Sequence, residues 1–184
     1  SLQNGGGKTV LVQMLIAPFV HKRYRNTTDR SFESFFTSNK PTFLLVEWIL
    51  DGGAGYVLTG MMIRKNQGGN EEISSEDLDI TTFIHEYRDA NEFDIYQIPV
   101  IEKQEKQKKL LGYHNCKKLF DEMRNKLGGK FQAFDLSQSN QQKHYFLRLK
   151  EYGINSEEWE SIIKKINIKE SGLSELFKEA KDEN

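Results

Sequence analysis

The sequence predicts an α/β fold with a mixed sheet, and three observations predict it. A glycine-rich stretch, Asn4-Gly5-Gly6-Gly7-Lys8-Thr9, runs straight into the apolar segment Val10–Ile16. Two strand-like segments, 42–50 and 56–64, flank Asp51-Gly52-Gly53-Ala54-Gly55, whose residues suit a hairpin turn. The C-terminal portion reads as successive capped helices.

The glycine stretch carries the chemistry. With no Cβ in the way, several backbone N–H groups can converge on one phosphate. The helix that follows presents its positive end to the same anion. Lys8 then supplies a cation for the outer phosphates, and the Thr9 hydroxyl is placed to ligate Mg²⁺. The stretch has the form of a Walker A loop in the variant N-G-x-G-K-[ST]. The general form would put a glycine at position 2, where this chain has Leu2. A merely flexible glycine-rich start is the competing reading; the apolar helical run at the right place argues against it.

Only Ser1, Leu2 and Gln3 precede the glycines, so the strand that supports such a loop is expected to lie outside this sequence. Walker B, signature and switch-histidine motifs are not recognisable downstream. Leu44-Leu45-Val46-Glu47 imitates Walker B, but its alternation and the turn after it favour a hairpin. The chain is therefore expected to be a fragment, or one lobe, of a larger ATPase. If the supporting strand is missing, an apolar sheet edge is left open, and either self-association or a frayed loop is expected.

The remaining elements follow in order. Helix one is expected from Lys8 to Tyr24, with Leu11, Leu15 and Phe19 on one stripe and Pro18 ending or kinking it. A basic, turn-forming group follows around Arg23, Arg25 and Arg30. Either one of these arginines returns to the phosphates or the group coats the surface. Trp48, Met61 and Met62 read as core. Residues 66–92 read as a polar surface excursion, most polar over 66–82. A strand is expected at 93–98, stopped by Pro99. A helix at 115–127 should end on Gly128-Gly129, and Phe131–Phe134 reads as a short strand. Ser139 with Gln142 suggests a capping box for a helix to Tyr152 with Gly153 as its stop. Asn155 with Glu158 opens a helical lead-out over 155–184, toward a coiled coil.

Composition narrows the classes. At 184 residues, 37% apolar and 29% charged, the chain has room for one domain and a small appended subdomain. No run approaches the roughly 20 apolar residues of a membrane span, so no membrane partner is expected. A single cysteine, Cys116, fits a reducing, cytoplasmic setting. The net charge of −1 does not advertise nucleic-acid binding. Residues 101–130, however, carry nine Lys/Arg against four Asp/Glu. Such a run is a solvated helix face or a contact for the DNA backbone. His21, His85, His114 and His144 lack metal-ligand spacing, so neither zinc nor histidine catalysis is expected.

The order of elements resembles a known family. The Walker variant, Tyr24-Arg25-Asn26-Thr27-Thr28-Asp29, the hairpin, Lys130–Asp135, and the stretch from His144 to Ile154 are together similar to the N-terminal head region of MukB-like and other SMC-like (ABC-type P-loop) ATPases of bacteria. The Walker segment and the Arg-Asn-Thr-Thr stretch are the specific parts. The resemblance implies a P-loop NTPase fold of the ABC/SMC-head kind: a mixed sheet with an antiparallel hairpin and a helical C-terminal portion. It implies that Asn4, Gly5, Gly6, Gly7, Lys8, Thr9 and Val10 cradle ATP, that Thr9 holds Mg²⁺, and that Arg25 is a further phosphate contact. Gln97, Gln138, Gln141 and Gln142 compete for the family's metal-sensing glutamine. No catalytic residue is expected within this chain. The C-terminal lobe of the same ATPase, a second head and DNA are the implied partners. ATP binding would close two heads in chromosome organisation and segregation, repair, or plasmid and phage defence, and hydrolysis would reopen them. Two other readings stand: a different P-loop enzyme such as a kinase or helicase-like motor, and a non-catalytic interaction module with a degenerate nucleotide loop.

Overall fold

A computed structural model describes residues 5–27, 30–66, 78–104 and 107–165, without the side chains of 5–9 and 102–108. The chain divides into two compact units, 1–32 with 149–184, and 33–148.

The larger unit is built on an antiparallel sheet. Strands β1 (Thr42–Ile49), β2 (Tyr56–Lys65), β3 (Leu78–Tyr87) and β6 (Phe131–Asp135) lie in the order β1-β2-β3-β6. Every pairing is antiparallel. The mixed, P-loop NTPase-type sheet expected from the sequence is thus not what these residues form. A parallel pair needs a crossover, usually one helix. Here β1 and β2 are joined by the tight turn at 51–55, where Gly52, Gly53 and Gly55 adopt positive φ. Between β3 and β6 the chain spends its length on a two-stranded ribbon, β4 (Ile101–Gln104) with β5 (Gln107–Leu110), before helix α2 (Tyr113–Leu127).

The core lies between one sheet face and α2. Cys116, Leu119, Phe120 and Met123 recur at helical spacing and are all buried. They meet Leu58, Met62, Phe83 and Phe131 from the sheet. The Phe83 ring lies 5.4 Å from that of Phe120 and 5.8 Å from that of Phe131. Directly across the ladder, Gly60 pairs with Phe83. A Cβ on residue 60 would fall 2.1 Å from the ring, so the aromatic occupies the space a side chain would need. On the opposite face, Tyr145 of helix α3 (Ser139–Glu151) packs on Phe134 at 5.5 Å. Met61 and Met62 are buried as expected, and the half-buried Trp48 donates its indole N–H to Thr59 Oγ1.

Three further expectations need correction. The polar excursion does not extend over 66–92, because 78–87 is β3, buried on both faces despite Thr81, Thr82 and His85. Residues 67–77 lie outside the described residues. The strand expected at 93–98 is a set of turns. The Asp94 carboxylate accepts hydrogen bonds from the N–H groups of Asn91, Tyr96 and Gln97, and Asn91 Oδ1 accepts from Phe93 N–H. These local bonds outcompete a ladder, as Asx side chains do. Of the basic run over 101–130, expected as a solvated helix face, 113–127 is helix α2, but its first part forms the β4–β5 ribbon instead.

In the smaller unit, helix α1 (Gly5–Ile16) stops well before Tyr24, because Pro18 opens a separate 3-10 turn. The expected stripe is only partly inward: Phe19 is buried, but Leu11 and Leu15 are each 52% exposed, and Gln13 and Ile16 are buried instead. Helix α3 ends where Gly153, at φ 83°, lets Ile154 N–H reach back to Leu149 O. Asn155 Oδ1 then accepts from Glu157 N–H and starts a helix over 156–165. The rest of the expected lead-out, 166–184, lies outside the described residues.

Gly60→Ala is expected to cost about 1–3 kcal/mol, because the fully buried Phe83 ring has nowhere to retreat. Urea unfolding checks this; a midpoint unchanged from the parent chain would contradict the packing.

Candidate functional site

Of the nucleotide-binding residues expected from the sequence, Gly5 to Val10 lie in the first half of α1. Gly5, Gly6, Gly7, Lys8 and Thr9 are its first five residues, so their backbone is helical from the first glycine onward. The first four N–H groups of any α-helix lack an intrahelical acceptor. In α1 those of Gly5, Gly6 and Gly7 are among them, and no acidic residue lies in that turn to compete for them. Asn4 and the side chains of Lys8 and Thr9 lie outside the described residues. Val10, next along the helix, is half-buried.

Arg25 is placed at the other end. It is buried, and its Nε donates to Ala17 O at 3.2 Å, just past the last residue of α1. Its own carbonyl accepts from Gln13 Nε2 at 2.7 Å. With a rise of 1.5 Å per residue, Ala17 stands roughly 13 Å along the axis from Lys8. The Arg25 side chain therefore ties the chain after α1 to the C-terminal end of that helix. Nearby, the buried Glu160 accepts from His21 N–H at 3.0 Å and lies 2.6 Å from His21 Nδ1. Trp159 packs on Phe19 at 6.2 Å.

The larger unit holds two polar groupings. In the first, the Tyr87 hydroxyl donates to Glu47 and accepts from Ile95 N–H at 3.3 Å. Burial, then the bond to Glu47, pushes the Tyr87 phenol above its usual range. His85 is buried beside it, rings 4.9 Å apart, with Nδ1 3.3 Å from Lys130 O and Nε2 3.5 Å from Asn91 Oδ1. Both neighbours are acceptors, so a neutral ring satisfies one of them with its single N–H. Burial pulls the His85 imidazole below its ordinary value. Glu47, the one residue in a Walker B-like setting, is thus committed to a tyrosine within the sheet.

The second grouping is a cleft of about 260 Å³ between α2 and the end of β6, lined by Tyr113, Lys117, Arg124, Asp121, Asp135 and Gln141. The Arg64 guanidinium stacks 3.3 Å over the Tyr113 ring, and the Lys117 ammonium lies 4.7 Å from the same ring. Arg124 pairs with Asp121 at 2.6 Å. The cleft lining carries two cations, Lys117 and Arg124, and two carboxylates, Asp121 and Asp135. Sequence reasoning missed it; the 113-117-121-124 spacing, one face of a helix, was the available signal.

Of the four candidate glutamines, Gln141 accepts from Asp135 N–H at 2.7 Å and donates to Gln138 at 2.9 Å, both structural contacts. Cys116 is buried and its thiol is pushed up to about 11 by that burial, which makes it a poor nucleophile. Among the described residues no three His, Cys, Asp or Glu side chains gather as a metal site. No described helix is long and apolar enough to cross a membrane.

Comparison with known proteins returns no match: no family model, curated protein or solved structure is similar to this chain.

The His85 environment sets a pH dependence. Its imidazole titrates lower in the folded chain than in the unfolded one, so the unfolded state takes up the proton first. Stability is expected to be full above the ordinary histidine value of 6.5 and to fall as the pH drops below it, toward the lowered folded value. Urea midpoints across that range check this. His85→Gln should remove this part of the slope, and an unchanged slope would contradict the assignment.

Proposed function

We propose that this chain is an ATP-binding lobe of an SMC-like ATPase that acts on DNA, with the triphosphate and Mg²⁺ held at the N-terminal end of α1. The supporting observation is that α1 starts within the Walker-type glycines, which places the backbone donors of Gly5, Gly6 and Gly7 in one turn with Lys8 and Thr9. That donor set fits a polyphosphate, since oriented N–H groups and an ammonium are what its oxygens require. Lys8 neutralises charge on the outer phosphates and the Thr9 hydroxyl ligates the metal. Arg25 is not assigned to the phosphates, because its guanidinium is engaged at Ala17.

Phosphoryl transfer to water is mostly positioning and charge stabilisation, and an acidic residue must orient the water. Glu47 is bonded to Tyr87 and does not serve that role. The reading therefore assigns hydrolysis to residues of a second lobe, with a second head and DNA as the wider partners in a cytoplasmic assembly. The all-antiparallel sheet favours one alternative, a non-catalytic interaction module whose glycine segment holds no ligand.

Titration with a fluorescent ATP analogue separates the two. Weak, Mg²⁺-dependent binding is expected, reduced roughly ten- to a hundredfold by Lys8→Ala through loss of a charge-assisted contact. Turnover by the chain alone should stay at background. Binding indifferent to Lys8→Ala, or turnover that survives it, contradicts the proposal.

A further inference from the structure

The sheet has two edges, and they are treated differently. Strand β6 is five residues long. Leu136 N–H donates to Ile80 O, so even-numbered residues of β6 point their backbone groups at β3 and odd-numbered ones point outward. The outward N–H of Asp135 is stopped by Gln141 Oε1 at 2.7 Å. That edge is short and plugged.

Strand β1 is neither. It runs for eight residues, Thr-Phe-Leu-Leu-Val-Glu-Trp-Ile, with no proline, glycine or lysine inside it. Leu50 N–H donates to Gly55 O at 2.9 Å, in register with the β1–β2 ladder. Alternation then turns the N–H and C=O groups of Phe43, Leu45, Glu47 and Ile49 away from β2. Among the described residues no backbone hydrogen bond reaches these groups. The side chains from Phe43 to Trp48 are half-exposed, and Ile49 is 80% exposed. A long, mostly apolar edge without lysine or proline is a template for another strand.

We propose that β1 is a homodimer interface, in which the β1 strands of two copies pair antiparallel and join their sheets. A two-fold axis perpendicular to the sheet keeps equivalent faces together, so opposed residues must have the same parity. Centring the axis on Val46 matches all four outward-facing residues of each strand: Phe43 with the second copy's Ile49, and Leu45 with its Glu47. This register forms eight backbone hydrogen bonds, two for each such pair. Centring on Leu45 sets Ile49 against the second copy's Pro41, which has no N–H. The Val46 register also sets Leu44 against Trp48 and covers the exposed Ile49 with a phenyl ring, both favourable cross-strand pairs. The single charge in the strand, Glu47, never faces its own copy. The strand thus complements itself, which favours a second copy over a foreign strand. The proposal is independent of the nucleotide reading.

Sedimentation of the full chain over a concentration series is expected to show a monomer–dimer equilibrium. Leu45→Pro removes an outward N–H and leaves the bonds to β2 intact, so the dimer should weaken roughly tenfold or more for the two N–H groups lost. Ile49→Lys, at an exposed side chain, should weaken it too, with an unchanged circular dichroism spectrum. Ile49→Lys carries the test if Leu45→Pro fails to fold. Val46→Cys lies on the axis in a non-hydrogen-bonded pair, where Cα atoms approach to about 4.5 Å, and should form a covalent dimer on mild oxidation. Leu44→Cys, facing Trp48, should not; Cys116 is buried and adds no background. A monomer up to the solubility limit overturns the proposal. So does a dimer that Ile49→Lys leaves untouched, or one in which Leu44→Cys cross-links as readily as Val46→Cys.

Discussion

The larger unit depends on one close approach, the ring of Phe83 lying where a side chain on Gly60 would stand. That approach lets Phe83 sit flat against the β2–β3 ladder and still touch Phe120 from α2 and Phe131 from β6. Three elements distant in sequence are held by one aromatic. Burial of a phenylalanine contributes about 1.5–3 kcal/mol by itself, and the aromatic pairs add to it. The helix stripe Cys116, Leu119, Phe120 and Met123 can dock because the sheet surface there is recessed at residue 60.

Around that apolar centre, polar groups decide where the chain bends. Asp94 gathers three backbone N–H groups, Asn91 holds Phe93 and approaches His85, and Tyr87 links Glu47 to Ile95. Each bond is modest in net stability, but leaving one of these buried groups unpaired costs more than the bond contributes. The turns at 91–98 therefore form where the apolar residues alone suggest a strand. The same logic separates the two sheet edges: Gln141 closes β6, whereas among the described residues no backbone bond reaches the outward amides of β1.

In the smaller unit the opposite ends of α1 do different things. Its glycine end concentrates unsatisfied N–H groups beside a lysine and a threonine in sequence. Its far end is a packing site, where Arg25, Gln13 and Phe19 fold the following chain back. An arginine close in sequence to a phosphate-type motif is therefore not close to it in space, because a straight helix separates them.

Much of the local structure was legible in the sequence. The 51–55 turn and its flanking strands, α2 with Gly128 beyond it, β6, and the Gly153 stop all appear within a few residues of where composition put them. These features are local: a glycine for positive φ, a helical stripe, an Asx cap. Other features were hidden. Strand β3 carries threonines, a histidine and two acids, so nothing in its composition announces a strand buried on both faces. The basic run at 101–110 forms a ribbon because its two halves pair, which no single-residue preference reports. Of the candidate site, the phosphate-type motif is readable as a pattern, while the location of Arg25 is not. The sequence by itself determined which segments turn, cap and alternate, since those follow from short-range sterics and side-chain bonds. Only the tertiary structure decided that the sheet is antiparallel throughout and that Gln141 closes its β6 edge. Strand neighbours are chosen by what each face can bury, and that choice is made between residues far apart in the chain.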